Sequence, residues 1–214
     1  MIKSKAGKII LKVVLCLVIV IAVLLCANTA ATAITSSKNL KVATSFDKVQ
    51  YEEQLVPSIG EDGYPQFTAD RPIRIMQLTD IHIGGGWISA AKDKKALNCV
   101  AAMISAEKPD FVIVTGDVVF PTPTDAGTLN NKTGAKIFAE MMETLGVYWT
   151  VTFGNHDTEI YGYYSREDIG DFYAGEDLKY CIFQPGPENV DGCGNQIINL
   201  SLIHISEPTR LDVI

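Results

Sequence analysis

Three short clusters in this sequence combine carboxylates with an imidazole or a side-chain amide: Thr79-Asp80-Ile81-His82, Gly116-Asp117 and Gly154-Asn155-His156-Asp157. Gathered in one place, they offer oxygen and nitrogen donors together. That mixture suits borderline first-row ions such as Mn, Fe or Zn better than Ca, which takes oxygen alone. Asp117 has two oxygens with which to bridge a pair of ions. Asp80 and His82 reach one ion if the chain bends as it leaves its strand. Two ions about 3.5–4 Å apart can hold a hydroxide between them and clamp a phosphoryl oxygen during in-line attack. Each cluster alone is weak evidence, because Gly-Asp and Gly-Asn-His-Asp also suit ordinary tight turns. Their order, and their shared position after apolar runs, carry the argument.

The elements that must position these groups are legible around them. Residues 73–78 (IRIMQL), 111–115 (FVIVT) and 147–153 (VYWTVTF) have the length and apolar content of strands. The middle run is continuously apolar, as expected of a strand buried on both faces. Residues 89–108 and 134–145 read as helices. The first has Ala96, Leu97, Val100, Met103 and Ile104 on one face, Ser89 as N-cap and Pro109 as its stop. Alternating strands and helices imply an α/β fold with a parallel sheet, whose carboxyl edge is where ligands bind. All three clusters fall on that edge. Residues 34–70 read as a linker with an edge segment, and Gly84-Gly85-Gly86 as a flexible exit beside the metals.

The amino terminus has a different character. Lys3, Lys5, Lys8 and Lys12 precede fifteen uncharged residues, 13–27, followed by small residues up to Ala33. This describes an export signal cleaved after Ala33, with a retained membrane anchor as the competing reading. Without residues 1–33 the chain keeps 14 basic and 25 acidic residues, a net charge of −11. That balance disfavours nucleic acid or an anionic membrane surface as the main partner, and does not exclude a phosphorylated small substrate, which a local cationic centre could hold. Cys181 and Cys193 either close a loop or remain buried thiols; no zinc-like cysteine spacing is present. Tyr161, Tyr163 and Tyr164 either line a substrate mouth or lie on a solvated loop. Glu167, Asp168 and Asp171 read as a solvated helix face. Asn131-Lys132-Thr133 has the form of a glycosylation acceptor.

The pattern D-x-H, G-D, G-N-H-D over residues 71–199 resembles the calcineurin-like metallophosphoesterase family. The resemblance implies the N-terminal half of a four-layer α/β/β/α sandwich. It also implies metal ligands at Asp80, His82, Asp117 (bridging) and Asn155. His156 would stand near the transferred phosphoryl group as proton donor or charge stabiliser, with Asp157 orienting it. Residues 185–199 are similar to a hairpin of the purple acid phosphatase-like branch. Two departures exclude the purple colour: His82 where true purple enzymes have glycine, and Phe120 where they have an iron-binding tyrosine.

The family pattern continues with an isolated histidine and a Gly-His-x-His motif, whereas the histidines of this sequence are His82, His156 and His204. Residues 200–210, LSLIHISEPTR, resemble a translated sequencing adapter. The expectation is therefore that residues 200–214 are not native and that His204 is no ligand. The domain would be truncated, with a sheet face left uncovered and an incomplete, inactive centre. The parent protein is expected to be an exported two-metal phosphoesterase acting on a monoester or diester. The alternatives are a non-catalytic surface module that retains the fold, and a nuclease, which the acidic balance disfavours.

Overall fold

The computed structural model describes residues 5–203 and 209–213. In chain order the elements are α1 (Lys5–Ala43), β1 (Ser58–Ile59), β2 (Pro65–Ala69), β3 (Ile75–Leu78), α2 (Ala90–Glu107) and β4 (Phe111–Thr115). They continue with α3 (Asn131–Leu145), β5 (Tyr148–Thr152), α4 (Arg166–Tyr173), β6 (Gln196–Leu202) and β7 (Thr209–Val213). Strands β3, β4 and β5 form a parallel sheet in that order. The α/β reading and its three central strands hold, with β4 starting and ending where the apolar run does.

Strand β4 is buried on both faces, and its alternation separates two cores. Val112 and Val114 join Leu97, Ile104, Phe138, Met142 and Trp149 beneath α2 and α3. Phe111 and Ile113 face the other way, against Phe67 and Ile198 of a second, mixed sheet ordered β1-β2-β6-β7. The rings of Phe67 and Phe111 lie 5.1 Å apart. The expected bare sheet face is thus covered: Phe67 and Ile198 are 0% and 1% exposed. The result is three layers, helices, parallel sheet and mixed sheet, consistent with part of the α/β/β/α sandwich.

Several local expectations change. Residues 34–43, read as linker, are the last three turns of α1, with Asn39 and Ala43 buried. Ser89 makes no side-chain cap; its hydroxyl bonds Asp93 instead. Helix α2 ends before Pro109, with Lys108 in the left-handed conformation. Helix α3 begins three residues earlier than expected, capped by the Asn130 side chain on the Thr133 amide. Asp168 is more than a solvated acid, since it closes a reciprocal capping box with Ser165. Strand β6 runs through Asn199 to Leu202, where Phe67, Thr68 and Ala69 pair with Leu200, Ser201 and Leu202. His204 lies outside the described residues.

Candidate metal centre

The parallel sheet does not stop cleanly at its carboxyl edge. Beyond β3, the amide of Asp80 donates to Gly116 O at 3.2 Å, that of His82 to Asp117 O at 3.0 Å, and that of Ile83 to Val118 O at 2.8 Å. These bonds hold three non-glycine residues in the left-handed region: Asp80 (φ 53°), His82 (φ 54°) and Asp117 (φ 53°). Such a conformation costs of order 1–3 kcal/mol per residue and persists only where the surroundings impose it. Here it supplies the bend that D-x-H requires, turning Asp80 and His82 toward Asp117.

Side-chain geometry follows from that bend. His82 Nε2 lies 3.7 Å from Asp80 Oδ1 and 3.8 Å from Asp117 Oδ2. One donor atom from each of His82, Asp117 and His156 falls within 4.8 Å of the others. The backbone amide of His156 donates to Asp117 Oδ1 at 2.8 Å, locking the third motif to the second. Two glycines permit this approach. Gly116 has φ +95°, and a β-carbon on Gly154 would lie 2.2 Å from Asp117 Oδ1. Asn155 is exposed in the same turn, between Gly154 and His156.

Asp157 does something other than expected. Its buried carboxylate accepts from the amides of Asp117 (2.9 Å), Val119 (3.0 Å) and Gly154 (2.8 Å), so it braces two loops rather than orienting His156. Burial pushes its pKa up against the lowering effect of those three amides. The partner of His156 Nδ1 is Glu159, three residues on. Hydrogen bonds from Tyr161 and then His156 hold the Glu159 carboxyl below its ordinary range. Phe120 packs edge-on against His156, ring centres 4.4 Å apart, and lies 5.3 Å from His82. It therefore stands at the centre without offering a ligand atom.

Other expected features resolve differently. Gly84-Gly85-Gly86 is buried and crowded, with a β-carbon on Gly86 meeting Ala126 O at 1.9 Å, so it is no flexible exit. Asn131 is 1% exposed, and its amide nitrogen donates to Asp157 O and Tyr164 O, which closes it to glycosylation. Cys181 and Cys193 are free thiols, both raised by burial. Tyr163, Tyr164 and Arg166 line an open cleft with Thr158 and Glu159 beside the centre.

A sequence model described as calcineurin-like phosphoesterase matches residues 73–209. The chain belongs to that family. Among relatives of the calcineurin-like phosphoesterase is Phosphatase DCR2 of Saccharomyces cerevisiae, 27% identical over 151 residues covering 63% of this chain and 25% of the relative. Probable inactive purple acid phosphatase 28 of Arabidopsis thaliana is 29% identical over 152 residues, 61% of this chain and 36% of the relative. Probable inactive purple acid phosphatase 14 of the same plant is 29% identical over 105 residues, 44% and 25%. These relatives support the purple acid phosphatase-like branch. The chain spans between 25% and 36% of the length of the curated relatives it matches.

The donor set fits the divalent ions that the family usually binds. Two carboxylates and an imidazole converge, and among the described residues no Lys or Arg pairs with Asp80 or Asp117. Like charges so arranged repel unless a cation or proton intervenes.

Proposed function

We propose that this calcineurin-like phosphoesterase contributes Asp80, His82, Asp117 and Asn155 to a two-ion centre of an exported enzyme that hydrolyses a small phosphate ester. The observation that carries the reading is the convergence of Asp80 and Asp117 on His82 Nε2, at 3.7 and 3.8 Å, with all three residues held in left-handed backbone at one sheet edge. When bound, Mn, Fe or Zn ions supply an acidified water and neutralise phosphoryl charge.

The protein's own residues do the rest. Asp117 presents Oδ2 toward His82 while Oδ1 is fixed by the His156 amide, so its carboxylate cannot rotate away. Asp157 clamps the two loops that carry these ligands. Glu159 engages Nδ1 of His156, which fixes the imidazole tautomer and leaves Nε2 as the atom that holds or delivers a proton to a leaving group. Arg166 lines the adjacent cleft together with Glu159, Glu167 and Asp168, and its guanidinium packs over Phe153. The three further imidazoles of the family pattern are not in this sequence. The proposal therefore assigns metal binding to these four residues and turnover to the centre those imidazoles complete.

The test is hydrolysis of an aryl phosphate by the protein purified from its source, with Mn, Zn or Fe supplied, alongside calorimetric metal binding by the present chain. Metal binding that is lost in Asp117→Asn supports the centre. Absence of turnover with any ion or ester would overturn the enzyme. The second reading, a non-catalytic surface module, is favoured by relatives named as inactive phosphatases. It predicts metal binding without turnover.

A further inference from the structure

Helix α1 changes character at Asn28. From Ile9 to Leu25 its large apolar side chains are about half exposed or more on every side, and its most apolar stretch has no buried share. From Asn28 onward a stripe along one face packs on the domain: Asn28, Thr32, Thr35 and Ser36 partly, Asn39 and Ala43 fully. The stripe has the 3.6-residue period of a helix lying on a surface. The change falls one residue after the apolar run ends.

The docked part is held by polar contacts that bracket Ala33. The Asn28 side chain accepts from Trp87 Nε1 at 2.7 Å and donates to Gly127 O at 3.0 Å. Three turns later, the Asn39 side-chain amide donates to Asp93 at 3.1 Å. The same buried Asp93 carboxylate accepts from the amides of Gly84 and Gly85, two and three residues after His82. Cleavage after Ala33 would cut a continuous helix between two docked turns and discard the Asn28 contacts. Ala33 and Ile34 are exposed, but both lie within a continuous helix rather than in the loop tips where nicking concentrates.

We infer that α1 is a retained signal anchor, and that the domain sits directly on the bilayer with the carboxyl edge of its parallel sheet toward the lipid. Residues 9–27 rise about 28 Å, against a hydrocarbon thickness of about 30 Å. Lys12 lies within about one turn of the inner end, where a lysine snorkels to the headgroups. Lys3, Lys5, Lys8 and Lys12 keep that end cytoplasmic and place the domain on the opposite side. Asn28 meets Trp87 and Gly127, which immediately precede α2 and α3. At the other end of the packed segment, Val49 donates to Leu145 O, where α3 finishes. The lipid-proximal end of the domain is therefore the end at which β3 and β4 deliver Asp80, His82 and Asp117.

A second observation marks the lipid contact. Trp87 and Ile88 remain 46% and 41% exposed beside Asn28, an apolar pair at the level where the spanning segment ends. Tryptophan with its ring N–H satisfied is suited to the headgroup boundary. From Asn28 to Asn39 the helix rises about 16 Å, so the loop tied to Asp93 stands within about that height of the membrane surface. The net charge of −11 outside residues 1–33 disfavours an anionic surface and favours a zwitterionic one, held by apolar contact.

The sequence has two tryptophans, Trp87 and the fully buried Trp149, which makes the seat directly measurable. The full chain is reconstituted in phosphatidylcholine vesicles with and without bromine on the acyl chains, and tryptophan emission is compared. Bromine should remove the Trp87 share of the emission, and Trp87→Phe should leave the remainder insensitive to bromine. Intact-mass measurement of the protein from its source should find residues 1–33 present, in a form that alkaline carbonate does not extract. Emission indifferent to bromine, or a mature protein beginning at Ile34, would overturn the inference.

Discussion

The backbone amide of His156 donates to Oδ1 of Asp117 at 2.8 Å, while Oδ2 of the same carboxylate lies 3.8 Å from Nε2 of His82. One aspartate therefore joins three strand ends. Its side chain is only 12% exposed, so both oxygens act in a setting where charge is poorly screened. Asp117→Asn keeps the size but loses a negative donor. Binding of Mn or Zn should fall by more than the roughly 100-fold that changes around ligands produce. Calorimetric titration checks this, and unaltered affinity would remove Asp117 from the ligand set.

Glu159→Gln separates positioning of His156 from metal binding. The glutamine reaches Nδ1 through a neutral oxygen and holds the ring less firmly than a carboxylate does. In the protein with its complete centre, kcat should fall by about 10–100-fold while metal affinity stays within a few-fold. Glu159→Asp should restore part of the rate. A rate unchanged in Glu159→Gln would show that the contact is incidental.

Asp157→Asn tests the brace. Three amides converge on a carboxylate that is 3% exposed, and an asparagine must turn an N–H toward donors. Leaving buried donors unmatched costs about 1–3 kcal/mol. Thermal melting should register the loss. Gly154→Ala, which forces a β-carbon onto Asp117, should disturb metal binding by a route that leaves Asp157 intact. If Asp157→Asn melted like the parent, the bracing role would be wrong.

Much of this centre is legible in the sequence alone. Strand β4 is legible because a strand buried on both faces needs an unbroken apolar run, and that run sets the edge where Asp117 must appear. Asp80 and His82 follow from the same geometry. Glu159 is not legible, since it meets His156 through the shape of a turn rather than through periodicity. Nor is the role of Asn131, whose Asn-Lys-Thr context suggests glycosylation until its burial is known. The docked half of α1 is hidden for a physical reason. It packs through Asn28, Thr32, Ser36 and Asn39, small or polar side chains that leave no apolar stripe in the sequence.

Away from the centre, Asp110 makes stability depend on acid. Its carboxylate, 5% exposed, takes both Arg71 guanidinium nitrogens at 2.7 and 2.8 Å and the Arg74 amide at 2.8 Å. Burial pushes its pKa up, but the hydrogen bonds from Arg71 and Arg74 outweigh burial and hold it below the ordinary aspartate range. A depressed folded pKa means that the unfolded chain takes up the proton first as pH falls. The stabilisation is therefore complete above the ordinary aspartate pKa, about 3.9, and is lost as pH drops through the lower folded value. Asp110→Asn should cost about 1.5–3 kcal/mol at neutral pH, the range for hydrogen bonds to a charged group. The gap between parent and variant in urea unfolding should narrow steadily below pH 4. A gap that stayed constant to the acid limit would mean that Asp110 contributes packing alone.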